Sequence, residues 1–179
     1  MEAHFVANEL LEALGAACER IAIAGSLRRG AQEVKDVELV AMPRRATDLV
    51  GAANGPCLLT LTLRELAYKG KIRWRGETHP TSSTPFLEER RAWFLVSLPR
   101  EVRVDLFAVR PPAQWGAIFA IRTGPAEYSR RLVTVCQRKN LRCRDGRLLD
   151  WTGRTVATPE ERDFIEACGL PYVSPRNRR

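Results

Sequence analysis

The chain of 179 residues carries 29 Lys and Arg against 21 Asp and Glu, a net charge of +8, with 45% apolar and 28% charged residues. That composition belongs to a folded, water-soluble protein long enough to bury a core without disulfides or a structural metal. No run of 18 apolar residues exists, which excludes a membrane-spanning helix, and Met1-Glu2-Ala3-His4 lacks the basic-then-apolar pattern of a signal peptide. Five cysteines without a C-x-x-C pair disfavour a disulfide framework and a zinc knuckle, and two histidines argue against a His-rich metal site. A reducing cytoplasm is the expected compartment. The charge is unevenly spread: residues 1–99 hold 13 basic and 12 acidic groups, residues 100–154 hold 12 and 5, and residues 155–179 hold 4 and 4. A concentrated excess of this kind favours a polyanionic partner, although a merely basic face would give the same count.

In chain order, Phe5, Leu10, Leu11, Leu14 and Cys18 recur at helical spacing and predict a helix over 5–18. Ile21 to Ala24 predicts a buried strand that ends in Gly25-Ser26, and Val37 to Met42 a second strand closed by Pro43. Residues 46–70 are expected to be partly helical, with Leu58, Leu61, Leu66 and Ala67 inward and Gly70 as a stop. Ile72–Arg75, Trp93–Leu98 and Val102–Val109 read as strands, and 76–90 as a turn-rich loop. Composition changes at Pro111-Pro112, which sets an expected boundary between domains 1–110 and 111–179. Beyond it, Trp115–Ile121 and Ala126–Lys139 predict helices, and Leu141–Cys143 and Arg147–Leu149 predict strands joined at Asp145-Gly146. A last helix should start at Thr158, as N-cap, with Pro159 in the first position, and stop at Gly169.

Three clusters carry candidate chemistry. Gly25-Ser26-Leu27-Arg28-Arg29-Gly30 follows a strand directly; glycine permits close backbone approach, Ser26 adds a hydroxyl, and guanidinium groups match phosphate oxygens in pairs. In Asp36-Val37-Glu38 the two acids project to one side of a strand, where each raises the other's pKa unless a cation intervenes. Oxygen-only ligands suit Mg²⁺ or Mn²⁺. Asp105 interrupts an apolar strand, with Arg103 on its face. Each cluster alone admits a plainer reading: a tight turn with solvent-facing arginines, a polar-faced edge strand, a salt bridge on a sheet. Together they offer a phosphate-binding turn and three carboxylates, a set able to hold two Mg²⁺ ions for in-line phosphoryl transfer.

This G-S-x-R-R-G, D-x-E and R-x-D arrangement resembles the nucleotidyltransferase superfamily, and more specifically the DNA polymerase X family, related to DNA polymerase beta. Trp115-Gly116 to Gly124 is similar to that family's helix leading into the Y-F-T-G element, of which Thr123-Gly124 is retained. Thr158-Pro159-Glu160-Glu161 through Gly169-Leu170-Pro171-Tyr172-Val173-Ser174-Pro175-Arg176 resembles its C-terminal ending.

The resemblance implies an α+β fold, with a nucleotidyltransferase palm over 1–110 and a C-terminal nucleotide- and DNA-binding subdomain over 111–179. It implies a DNA-directed DNA polymerase that fills gaps in repair, working as a monomer on dNTPs and gapped or primer-template DNA with two Mg²⁺ ions, Mn²⁺ being possible. Asp36, Glu38 and Asp105 would hold the metals, and Arg103 would orient them. Gly25, Ser26, Arg29, Ile121, Arg122, Gly124 and Ser129 would bind the nucleotide, and Arg130, Arg131, Arg138, Lys139, Arg142 and Arg144 the DNA. Four positions depart from the pattern: Glu38 stands for the usual Asp, Lys35 for a glycine, and Ile121-Arg122 for a Tyr-Phe pair. These departures keep two other readings open, a transferase with another acceptor and a non-catalytic nucleic-acid binder. Nothing in the sequence resembles a lyase domain or a helix-hairpin-helix clamp, so no deoxyribose-phosphate lyase activity is expected.

Overall fold

The computed structural model describes residues 2–47, 51–75, 91–97 and 101–178. The expected loop over 76–90, and Leu98, lie outside them. The fold is α+β, with eight strands and six helices among the described residues, and the chain divides into two compact units. The first comprises 1–23 and 34–108, the second 24–33 and 109–179. The break at 108/109 falls two residues from the expected boundary. Segment 24–33 departs from expectation more, since it groups with the C-terminal part of the chain. Among the described residues no helix is long and apolar enough to cross a membrane.

In the first unit, α1 (Glu2–Gly15) buries Val6, Ala7, Leu10 and Leu14 along one face. It is shorter than its apolar spacing predicts: Cys18 already opens strand β1 (Cys18–Ile23). The spacing could not reveal this, because the first residue of a buried strand continues the apolar pattern of the helix before it. Strands β2 (Val37–Pro43), β3 (Ile72–Trp74), β4 (Arg91–Ser97) and β5 (Glu101–Ala108) complete a mixed sheet of order β1-β2-β5-β4-β3. The pair β2 and β5 is parallel and the other neighbours antiparallel.

Register sorts the two faces. Val37, Leu39 and Ala41 lie opposite Val104, Leu106 and Ala108, and all six are buried. Helix α1 lies against these strands and α3 (Leu58–Tyr68) against α1 and β3, and each buried Leu or Val contributes about 1.5–3 kcal/mol. The inward side of α3 is Leu59 and Leu63, one residue out of phase with the expected set; Leu61 is 44% exposed. A leucine-rich helix offers several apolar stripes, and the sheet selects one.

The second unit has its own core, in which Ala120, Leu132, Leu148, Phe164 and Ile165 are fully buried. They come from α4 (Trp115–Thr123), α5 (Ala126–Arg138), β7 (Arg147–Leu149) and α6 (Glu161–Ala167). Strand β6 (Arg142–Arg144) pairs with β7 through the expected turn, where Asp145 and Gly146 both have positive φ. A further short strand, β8 (Thr155–Val156), pairs with β7. Cys136 and Cys168, 32 residues apart, form a disulfide in this core, a pairing that the cysteine pattern does not announce. Their separation in sequence hides the proximity of α5 to the residue that follows α6. Thr158 does not cap α6 as expected: its N–H and hydroxyl both donate to Gln114 Oε1, at 2.9 and 2.6 Å. Glu160 takes the N-cap position, and its N–H donates to Asp163 Oδ2 at 2.9 Å.

Candidate functional site

The acids of the first unit are arranged by strand register. Glu38 of β2 lies directly opposite Asp105 of β5 in the parallel ladder. Neighbouring strands are about 4.8 Å apart, so the two half-buried carboxylates stand side by side on the face opposite the helices. Like charges directly opposed across strands destabilise a sheet, and a fold that keeps such a rung gains from a cation beside it. One is present: the Arg75 guanidinium donates to Asp105 Oδ1 at 3.2 Å. Arg103, two residues before Asp105 on the same face, is exposed and makes no ion pair among the described residues. The R-x-D pattern does not mark Arg75, the arginine that contacts Asp105; its alternation with Arg73 along the strand is the signal the sequence offers.

Asp36 is half-buried and lies one residue ahead of β2, outside the ladder. Among the described residues no three His, Cys, Asp or Glu side chains are grouped so as to hold a metal ion. Of the three predicted acids, register pairs two. Their donor chemistry, hard anionic oxygen, suits Mg²⁺ or Mn²⁺.

The Gly-Ser turn belongs to the second unit, where it forms the four-residue helix α2 (Gly25–Arg28). Gly25 is buried with φ +61°, a conformation that L side chains rarely adopt. Ser26 is half-buried, and its hydroxyl makes no hydrogen bond among the described residues. Arg28 turns inward. Its guanidinium grips both Glu161 oxygens, at 2.7 and 2.8 Å, reaches Thr123 Oγ1 at 2.7 Å and lies 3.9 Å over the Phe119 ring. Glu161 also accepts from Arg178 Nη1 at 2.6 Å, and the Arg178 side chain is fully buried. Burial by itself would raise the Glu161 carboxyl, but the hydrogen bonds from Arg178 and Arg28 outweigh it and hold the group below the usual carboxylate range. Arg29, expected to hold a triphosphate, donates to the Thr123 carbonyl at 2.7 Å.

The remaining nucleotide-binding candidates cluster at the end of α4. Ile121 packs against the core of the second unit, and its carbonyl accepts from Ser129 Oγ at 2.8 Å. Half-buried Arg122 lies in the last turn. Gly124 is required by packing: a Cβ there would stand 2.7 Å from Tyr128 Cδ1 and 2.9 Å from Ser129 Oγ. The six predicted DNA-binding cations, Arg130, Arg131, Arg138, Lys139, Arg142 and Arg144, are all exposed. Arg130 Nε donates to the Ala126 carbonyl at 3.3 Å, and Arg144 lies 3.6 Å from Asp145.

Residues 119–179 match the family model of the DNA polymerase beta thumb. The match covers α4 from Phe119 through the C-terminus and contains the Arg178–Glu161 pair, Ser129 and all six cations. No curated protein matches the chain.

Proposed function

We propose that this chain is a metal-dependent nucleotidyltransferase of the polymerase X type. It would add a dNMP to a primer 3′-hydroxyl in gapped DNA, a repair reaction. The observation that carries the reading is the rung of Glu38 and Asp105, on a sheet followed in sequence by a polymerase beta thumb-like segment. In such a reaction the primer 3′-oxygen bonds to the α-phosphorus of the dNTP, the bond between the α-phosphorus and the bridging oxygen breaks, and pyrophosphate leaves. Bound Mg²⁺ would neutralise triphosphate charge and acidify the attacking hydroxyl.

Glu38 and Asp105 would hold the metal, with Asp36 as the third donor. Arg75, already bonded to Asp105, would help fix the direction of that carboxyl. Ser26 offers a hydroxyl donor to phosphate oxygens, and the exposed cations of 130–144 suit a DNA backbone.

Primer extension on a gapped duplex, with each dNTP and each rNTP and with Mg²⁺ or Mn²⁺, tests the reading. One templated deoxynucleotide should be added, and the addition should fall steeply in Asp105→Asn. Untemplated addition would reassign the acceptor to a free DNA or RNA end. No transfer with either metal would sink the proposal.

A further inference from the structure

A second feature of the thumb-like segment centres on a residue not discussed so far. Trp151 is 83% exposed, an unusual position for the largest apolar side chain. The loop that presents it is ordered by its own hydrogen bonds. Asp150 Oδ1 accepts from the Thr152 N–H at 2.8 Å, the Thr152 hydroxyl at 2.6 Å and the Arg154 N–H at 2.9 Å. The Asp150 N–H in turn donates to the Arg154 carbonyl. Thus the aspartate is used within the loop, and the indole is held out from it.

Trp151 forms one wall of a cleft of about 380 Å³ whose other walls are Gln137, Asn140, Leu141 and Arg142. No acidic side chain lines it. Arg142 is exposed, as are Arg138, Lys139, Arg144 and Arg154 around the cleft's elements. One aromatic face, two amides able to donate and accept, and a guanidinium in a basic surround match the parts of a nucleotide. They do not match an apolar protein surface, for which Leu141 and Trp151 alone are a small patch. Base pairs in a duplex are already stacked, so a free aromatic face selects an unpaired base.

We propose that Trp151 and Arg142 form a subsite for one unpaired nucleotide of single-stranded DNA. The base stacks on the indole, Gln137 and Asn140 meet its edge, and the guanidinium holds the adjacent phosphate. This deepens the polymerase reading and rests on it for the choice of DNA as partner.

The test measures binding of a labelled oligothymidylate to the full chain by fluorescence anisotropy over a series of salt concentrations. Trp151→Ala should weaken binding about tenfold without changing the salt dependence, because stacking releases no counterions. Trp151→Phe should keep most of the affinity. Arg142→Ala should weaken binding and flatten the slope of log affinity against log salt by about 0.7, the value for one phosphate of a single strand. Indole emission should be quenched by the oligonucleotide in the parent and less so in Trp151→Phe. Affinity of Trp151→Ala equal to the parent's, or an equal loss on blunt duplex and single strand, would overturn the subsite. Failure of the catalytic reading is separate: it shows as absent primer extension while the binding measurements stand.

Discussion

The first unit is electrically neutral, with 13 basic and 13 acidic residues, whereas the second carries 16 against 8 and so holds the whole excess of +8. The carboxylates of the two units are used in opposite ways. Glu161 of the second sits between two arginines, buried, with both oxygens bonded to guanidinium groups. Asp105 of the first pairs with one part-exposed arginine, Arg75, and also faces another carboxylate across the ladder. A buried acid flanked by cations is a structural fastening. An acid opposed to an acid gains less for the fold, and under the proposed function that rung is where a divalent cation would be held.

The largest test of this contrast is Asp105→Asn. Nucleotidyl transfer should fall by about a hundredfold to a thousandfold, the usual loss when a group that stabilises the reacting charge is removed. Stability should stay within about 1 kcal/mol of the parent, since the part-exposed Arg75 pair is worth 0–1 kcal/mol and the repulsion from Glu38 is relieved. Gapped-primer extension and thermal melting on the same preparation read both. A large loss of stability would make Asp105 a structural residue like Glu161 and erase the difference between the units.

Glu161→Gln should do the reverse. The change strands Arg178, whose side chain is fully buried, and Arg28 without their shared counter-charge. Breaking such a pair costs about 3–5 kcal/mol, read as a fall in the denaturation midpoint.

How much of this was legible in the sequence follows from the range of each interaction. Strands β1, β2 and β5 were readable because short apolar runs with polar punctuation have few other fates. The direct opposition of Glu38 and Asp105 was not, since D-x-E says nothing about which strand lies beside it or in what register. The Gly25–Gly30 motif is visible in the sequence, and the resemblance gives a ligand role to Arg29 and none to Arg28. In the structure Arg28 is bonded to a residue 133 positions away and Arg29 to a carbonyl 94 away. A charged residue in a motif looks the same whether its partner is a phosphate or a distant glutamate. The only hint was Glu161, an acid in the first turn of a predicted helix, where it reads equally well as a helix-dipole contribution. Trp151 carries no mark in the sequence, because exposure cannot be read from a single aromatic between turn residues.

Arg28→Lys sharpens the comparison by separating charge from shape. Lysine keeps the positive charge beside Glu161 but cannot bond both oxygens at once, reach Thr123 Oγ1 and lie flat on Phe119 together. A loss of about 1–2 kcal/mol is expected, from one charge-assisted hydrogen bond and part of the cation–π contact. No loss would mean that charge alone fastens the turn.

The smallest effect is in the pH profile. Glu161 has a folded-state pKa below its ordinary value of 4.5, so the unfolded chain binds the proton more readily. Its contribution to stability is therefore complete above about pH 4.5 and fades as pH falls through the lower folded value. Parent and Glu161→Gln should differ most near neutrality, and the gap should narrow on acidification below 4.5. A gap between parent and Glu161→Gln that stays constant on acidification would mean that the hydrogen bonds from Arg178 and Arg28 do not favour the Glu161 carboxylate in the folded chain, and the fastening assigned to this acid would fail.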